Sequence, residues 1–292
     1  MTIMNNGRIN DPEAEVISAN IDFYRSIAGK YDEYETCARS GDLQQSLRLD
    51  LGRMRRILDR VPGPVRCLDC GGGTGNLSLK MLEMGWEVTV VDVSSDMLVL
   101  LEERARAAGF SPTLINSSIE AFLDSTTNRY DLIAFNSVLH HLYSYLEVID
   151  VVADHIRPGG LFYSNFDPVI PRGVLLPNLL ESLDTIVAKA FHDQSDFLPG
   201  IARRVRKFVH GSNRVHQRAV DSAGDLAEYH AKTGVDDLEI VSLLKEKGMS
   251  ILDHERWTGG RTWIIRSINS HLHLLETFKI LARQPAELEL EN

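Results

Sequence analysis

The segment Val65–Asn76 reads Val-Arg-Cys-Leu-Asp-Cys-Gly-Gly-Gly-Thr-Gly-Asn, and it restricts the possible folds more than any other part of the chain. Its first half alternates apolar and polar side chains of β-favouring types, which predicts a strand. Its second half cannot extend that strand. Gly71, Gly72, Gly73 and Gly75 permit positive φ and allow a ligand to reach bare backbone. From Leu77 to Met84 the apolar spacing suits a helix. A strand, a glycine turn and a helix in succession leave backbone N–H groups and the positive end of a helix facing one spot.

Spacing separates the ligands that use such a turn. A dinucleotide fingerprint needs G-x-G-x-x-G, and the place of its third glycine is taken by Asn76. A phosphate loop needs Gly-Lys-Ser/Thr, and none follows. What remains is Asp69-x-Gly71-x-Gly73-x-Gly75, an acid at the strand end followed by alternating glycines. A second β-rich run, Trp86–Asp92, also ends in an acid. Asp92 falls about 20 residues after the first glycine, where a βαβ unit places a carboxylate beside a ribose. Val93-Ser94-Ser95-Asp96-Met97 then opens another helix, with Ser94 or Ser95 as its N-cap.

These motifs resemble those of the class I S-adenosylmethionine (SAM)-dependent methyltransferases. The resemblance implies SAM as cofactor, held by Asp69, Gly71, Gly73 and Gly75, with Asp92 on the ribose hydroxyls and Val93 beside it. Met97 matches the apolar residue that stacks on adenine, and it also fits a core position. Ser118 and Ile119 match the turn that reads the adenine edge, although Asp is commoner than Ser there. Tyr130–Asn136 is an apolar fourth strand leading into Ser137-Val138-Leu139-His140-His141, again as in the family. Asn136 matches a position near the methionine part of SAM. His140 and His141 are candidate catalytic bases, or else they cap and pack beneath the site. Ala28-Gly29-Lys30-Tyr31-Asp32 resembles the segment that folds over the cofactor, which would place Tyr31 near the methionine end. Arg157-Pro158-Gly159-Gly160 and the strand Leu161–Phe166 complete the match.

The expected fold is therefore α/β: a doubly wound, mostly parallel, seven-stranded Rossmann-like sheet with an antiparallel last strand and a helical insertion after strand five. Residues 1–60 are expected as N-terminal helices over the cofactor site, 61–168 and 234–292 as the SAM-binding core, and 169–233 as a lid or dimer contact. Within the insertion, Val174–Phe191 and Phe197–Val209 read as helices. Met249–Trp257 and Thr262–Ile268 read as a hairpin around Gly259-Gly260, and His271–Leu281 as a closing helix.

The expected reaction is methyl transfer to an O, N or C nucleophile of a small-molecule metabolite or natural product. The alternatives are a methyltransferase acting on RNA or protein, a SAM-binding regulator without catalysis and, more distantly, an NAD-dependent oxidoreductase. No nitrogen-methylating Asn/Asp-Pro-Pro-Tyr/Phe element occurs, because Asn136-Ser137-Val138-Leu139 stands in its place. The formal charge of -10 disfavours phosphate backbones as partners. A local basic run between Ile201 and Arg218, with Arg203, Arg204, Arg206, Lys207, Arg214 and Arg218, suits an anionic small molecule, a solvated face or a homodimer contact. Cys67 and Cys70 have a metal-like spacing. They lie on one strand, however, with no second pair, so buried side chains are expected and no metal. No apolar run approaches the roughly 18–20 residues of a membrane span. No secretory signal is visible, and the cytoplasm is the expected location.

Overall fold

The computed structural model describes residues 11–28, 41–59, 63–170, 226–227, 229–230, 233–258, 271 and 276–286. Its elements, in chain order, are α1 (Pro12–Ile27), α2 (Gly41–Leu58), β1 (Arg66–Cys70), α3 (Ser78–Glu83), β2 (Glu87–Asp92), α4 (Ser95–Ala107), β3 (Thr113–Asn116), α5 (Ile119–Ser125), β4 (Tyr130–Asn136), α6 (Tyr145–Asp154), β5 (Ile156–Pro168), α7 (Asp237–Glu246), β6 (Ser250–Thr258) and β7 (Glu276–Arg283). A 3₁₀ turn, Leu139–His141, follows β4.

The seven strands form one sheet in the order β3-β2-β1-β4-β5-β7-β6. β1 to β5 run parallel, and β7 is antiparallel to both of its neighbours. The strand order reverses direction between β1 and β4. In open sheets this is where the crevice for a ligand opens at the strands' carboxyl ends.

Two hydrophobic layers cover the sheet. One gathers Leu68, Cys70, Ile133, Phe135, Phe162 and Ile280 beneath α5, α6 and α7. The other gathers Cys67, Val90, Leu132, Ala134, Tyr163 and Leu281 beneath α2, α3 and α4. Cys67 and Cys70 therefore face opposite layers, both buried and both free thiols. Strands covered on both faces need apolar side chains at nearly every position, which explains the run Leu132–Phe135.

The C-terminal part departs from the expectation. Residues 276–281, read as part of a closing helix, belong to strand β7. That strand inserts between β5 and β6, pairing Ile280 with Ser164 on one side and with His254 on the other. Phe278, Ile280 and Ala282 enter one layer and Leu281 the other, so both faces are covered and the apolar–polar contrast of a half-buried strand is lost after Lys279. β7 pairs with β6; the Thr262–Ile268 run, read as the second arm of a hairpin, lies outside the described residues. Tyr31 and the two helices read within 174–209 also lie outside them. The Arg157–Gly160 turn is a bulge inside β5: the register against β4 shifts there, and the Gly159 N–H donates to Gln284 O at 3.1 Å. Just past β5, Val169 bridges Val235, and Val235 N–H donates to Pro168 O at 2.8 Å. The chain thus leaves and re-enters the sheet at one place.

Candidate active site

The site begins where β1 ends. Gly71 turns the chain at φ 70° and its N–H donates to Val91 O at 2.7 Å. A Cβ at Gly71 would come within 2.7–2.8 Å of the Val138 methyl groups, so the loop is packed tightly against the segment after β4. Asp69 does not line the cavity in front of the loop. It is buried beneath Gly72, accepting a hydrogen bond from Ser78 Oγ at one oxygen, while the other has no partner. Burial, opposed by the Ser78 hydrogen bond and reinforced by the nearby Asp92 charge, raises its carboxyl to about 7.

Asp92 ends β2 and turns towards the loop. Its Oδ2 accepts from Gly73 N–H and its Oδ1 from Ser94 N–H, both at 2.8 Å. Burial raises its pKa, and these two backbone hydrogen bonds oppose the rise. Each oxygen keeps a lone pair for a further donor. Ser94 is the N-cap of α4, its Oγ accepting from Met97 N–H. Ser118 caps α5 in the same way, accepting from Ala121 N–H at 3.2 Å, which accounts for a Ser there.

One cavity joins these pieces. Gly71, Gly73, Asp92, Val93, Met97, Ser118, Ile119 and His141 all line it. Gly75, Asn136 and His140 do not. A Cβ at Gly75 would crowd Leu101 and Leu79, so that glycine serves helix packing. Asn136 sits at the end of β4 with a buried Oδ1 that has no partner. His140 is buried, with Nδ1 2.7 Å from Asp167 Oδ1 and its backbone N–H on the same oxygen.

The expectation of N-terminal helices over the site named none of the α1 residues that line it. Helix α1 supplies Glu13, Val16, Ile17, Asn20 and Tyr24 to the cavity. Asn20 Nδ2 donates to Val16 O at 2.9 Å and to His141 O at 3.4 Å. Facing two carbonyls, that end of the amide is the NH₂, so the buried, unpartnered atom is the acceptor Oδ1. Tyr24 Oη is 2.7 Å from His141 Nε2. Ser137 holds φ 62°, donates its N–H to Asn165 O at 2.7 Å, and swings the Leu139–His141 turn towards α1. Glu13 and Glu120 also line the cavity, and burial followed by Glu120 raises the Glu13 carboxyl. The only local signal for these residues was the amphipathic pattern of α1, which reads as ordinary packing. Among the described residues no cluster of three His, Cys, Asp or Glu could hold a metal, and no helix is long and apolar enough to cross a membrane.

The fold is of the Rossmann-like α/β class, and this cavity opens at the switch point of its sheet. Residues 68–162 match the family model described as a methyltransferase domain. The chain is 29% identical over 149 residues to ubiquinone biosynthesis O-methyltransferase of Vibrio cholerae, covering 50% of this chain and 61% of that one. It is 29% identical over 160 residues to tRNA 5-carboxymethoxyuridine methyltransferase of Escherichia coli, covering 54% and 60%. It thus spans about three fifths of these relatives' lengths. Magnesium protoporphyrin IX methyltransferase of Synechocystis, solved with bound S-adenosylhomocysteine, superposes with a TM-score of 0.56 at 15% identity, over 92% of this chain and 99% of that one. Residues 68–162 thus match a methyltransferase domain by sequence, and the sheet that contains them has the fold of this solved neighbour.

Proposed function

We propose that the protein transfers a methyl group from SAM to an O, N or C nucleophile of a small molecule bound under α1. The observation that carries this reading is the single cavity uniting the Gly71–Gly73 loop, Asp92 and the α1 wall. The residues present fit SAM. The spare lone pairs of Asp92 suit two ribose hydroxyls, Met97 and Ile119 supply apolar surface for adenine, and Gly73 leaves the loop backbone bare. In this reading Val93 and Ser118 border the nucleoside, and Asn136 with its orphan Oδ1 stands near the amino acid end. Asp69 acts on the cofactor indirectly, by bracing the loop through Ser78. Glu13, Asp92 and Glu120 make the cavity acidic, which favours a ligand bearing sulfonium and ammonium charges.

Bound SAM supplies an activated methyl whose sulfonium is already a good leaving group. The chain's part is to hold the nucleophile in line and to exclude water. Helix α1 forms the wall that would keep water out. His141 is the side chain placed to receive a proton, while His140 is committed to Asp167. The O-methylating relative from Vibrio cholerae supports a small-molecule acceptor. The tRNA-modifying relative from Escherichia coli supports a second reading, with RNA as acceptor.

Calorimetric titration with SAM, S-adenosylhomocysteine and NAD tests the cofactor assignment. Binding of the two sulfur ligands alone, followed by tritium transfer to small hydroxyl or amine acceptors, is the expected result. Transfer to RNA alone would move the assignment to the second reading.

A further inference from the structure

We infer that the acceptor taken by this site carries a protonated amine, which anchors between Glu13 and Glu120 and is separate from the atom that is methylated. The inference rests on the methyl-transfer reading above and narrows its substrate class.

The charge of the cavity points this way. Three carboxylates line it, those of Glu13, Asp92 and Glu120, and among its described lining residues there is no Lys or Arg. His141 adds no positive charge, because burial first and the adjacent His140 second hold its ring well below the ordinary imidazole range. SAM brings a sulfonium, an ammonium and a carboxylate, which leave it a single net positive charge. Two of the three carboxylates are then without a counter-charge. Asp92 is tied to Gly73 N–H and Ser94 N–H and is the one placed for the ribose, so Glu13 and Glu120 remain.

Their placement supports the same conclusion. Glu13 lies in the first turn of α1 and Glu120 in the first turn of α5. An acid in a first turn is ordinary, because that end of a helix is positive. Neither helix accounts for the other's acid in a shared cavity, where like charges repel. Burial first, and then Glu120, Asp11 and Glu147, push the Glu13 carboxyl above its ordinary range. A cation between the two carboxylates reverses that cost, whereas a carboxylate or phosphate adds to it.

A second observation is independent of charge. Asn20 stands about two turns after Glu13 on the same face of α1 and lines the same cavity. It is only 5% exposed, its Nδ2 is spent on Val16 O and His141 O, and its Oδ1 has no partner. A buried acceptor left unpaired is costly, so this wall calls for a ligand that donates. An ammonium donates through three N–H groups and accepts nothing. It also has no lone pair, so the anchoring group is not the nucleophile. The class that fits is a small amine with a separate hydroxyl or second nitrogen to methylate.

The test ranks matched probes by calorimetry on the full chain, with and without saturating S-adenosylhomocysteine. One set is tyramine, para-cresol and phloretate, an aminophenol with its neutral and anionic counterparts. The other is putrescine, butanediol and succinate. In each set the amine should bind at least about tenfold tighter than the neutral probe, with the anion weakest. Glu13→Gln and Glu120→Gln should each cut that preference by about threefold or more, and the double variant should abolish it. A neutral or anionic probe that binds as tightly as its amine overturns the proposal. So do amines that fail to bind, and a preference that survives in the double variant. Should a variant unfold, the ranking on the parent decides alone. The cofactor's own ammonium is the other source of this chemistry. S-adenosylhomocysteine and its analogue lacking the α-amino group should respond alike to the two variants; if only S-adenosylhomocysteine weakens, the carboxylates serve the cofactor and the proposal falls. Failure of the methyl-transfer reading looks different: the sulfur ligands do not bind, while the amine ranking on the unloaded protein still decides the inference.

Discussion

The backbone N–H of Gly73 donates to Asp92 Oδ2 at 2.8 Å, fastening the glycine loop to the end of β2. The same carboxylate takes Ser94 N–H on its other oxygen, so one side chain organises the loop and the start of α4. Asp92→Ala should weaken S-adenosylhomocysteine binding at least about 100-fold, since charge-assisted hydrogen bonds are the strong ones. Asp92→Asn, which cannot accept at both ends, should fall between. Titration calorimetry decides, and unchanged affinity in Asp92→Ala would remove the residue from the site.

The packing of Gly71 against Val138 gives a second expectation. Gly71→Ala adds a Cβ 2.7 Å from a Val138 methyl at φ 70°. Clash and left-handed backbone should together destabilise the fold and lower cofactor affinity. Combining it with Val138→Ala should restore part of the loss and leave about 1–2 kcal/mol from the backbone alone. Urea unfolding of the two single variants and the double variant measures this.

Asp69 makes stability depend on pH. Its folded carboxyl titrates at about 7 against an ordinary 3.8, so the native state binds more protons than the unfolded state between those values. Stability then falls as pH rises through that window, by roughly 4 kcal/mol at most. Asp69→Asn, which still accepts from Ser78 Oγ, should flatten the slope and be more stable than the parent at pH 8. Denaturation midpoints at several pH values check the sign, and a parent whose stability rises from pH 5 to 7 would contradict it unless other groups are shown to dominate.

A fourth expectation lies away from the cavity. Asp237 is buried at the start of α7, accepting from Arg256 Nε and Nη2 and paired with His254 Nε2, each at 2.6 Å. Asp237→Asn removes the charge that Arg256 and His254 face and should cost up to about 3 kcal/mol. S-adenosylhomocysteine affinity should not change, because Asp237 does not touch the cavity. Thermal unfolding and calorimetry on the same sample separate the two effects.

The parallel half of the sheet was legible because its strands announce themselves. Each is rich in apolar or β-favouring side chains, and β1 and β2 are followed by a loop that glycine or a capping serine demands. β7 was misread for a physical reason: a strand buried on both faces shows no period-two pattern, and Leu-Glu-Thr-Phe-Lys-Ile-Leu suits a helix equally well. The acidic half of the site was legible from Asp92 and its spacing. The individual α1 residues were not, because Tyr24 meets His141 across 117 residues of sequence, and nothing local to Tyr24 distinguishes it from a packing residue.

The insertion of β7 between β5 and β6 also bears on synthesis. β5 presents Leu161, Phe162 and Tyr163 on an open edge until residues 276–283 emerge. At about 5–20 residues per second, the intervening chain takes on the order of ten seconds to appear. Throughout that interval the nascent sheet offers an unpaired apolar edge to any neighbouring chain. A ribosome stalled before residue 276 would release an aggregation-prone fragment that retains its glycine loop but lacks the strand that seals it.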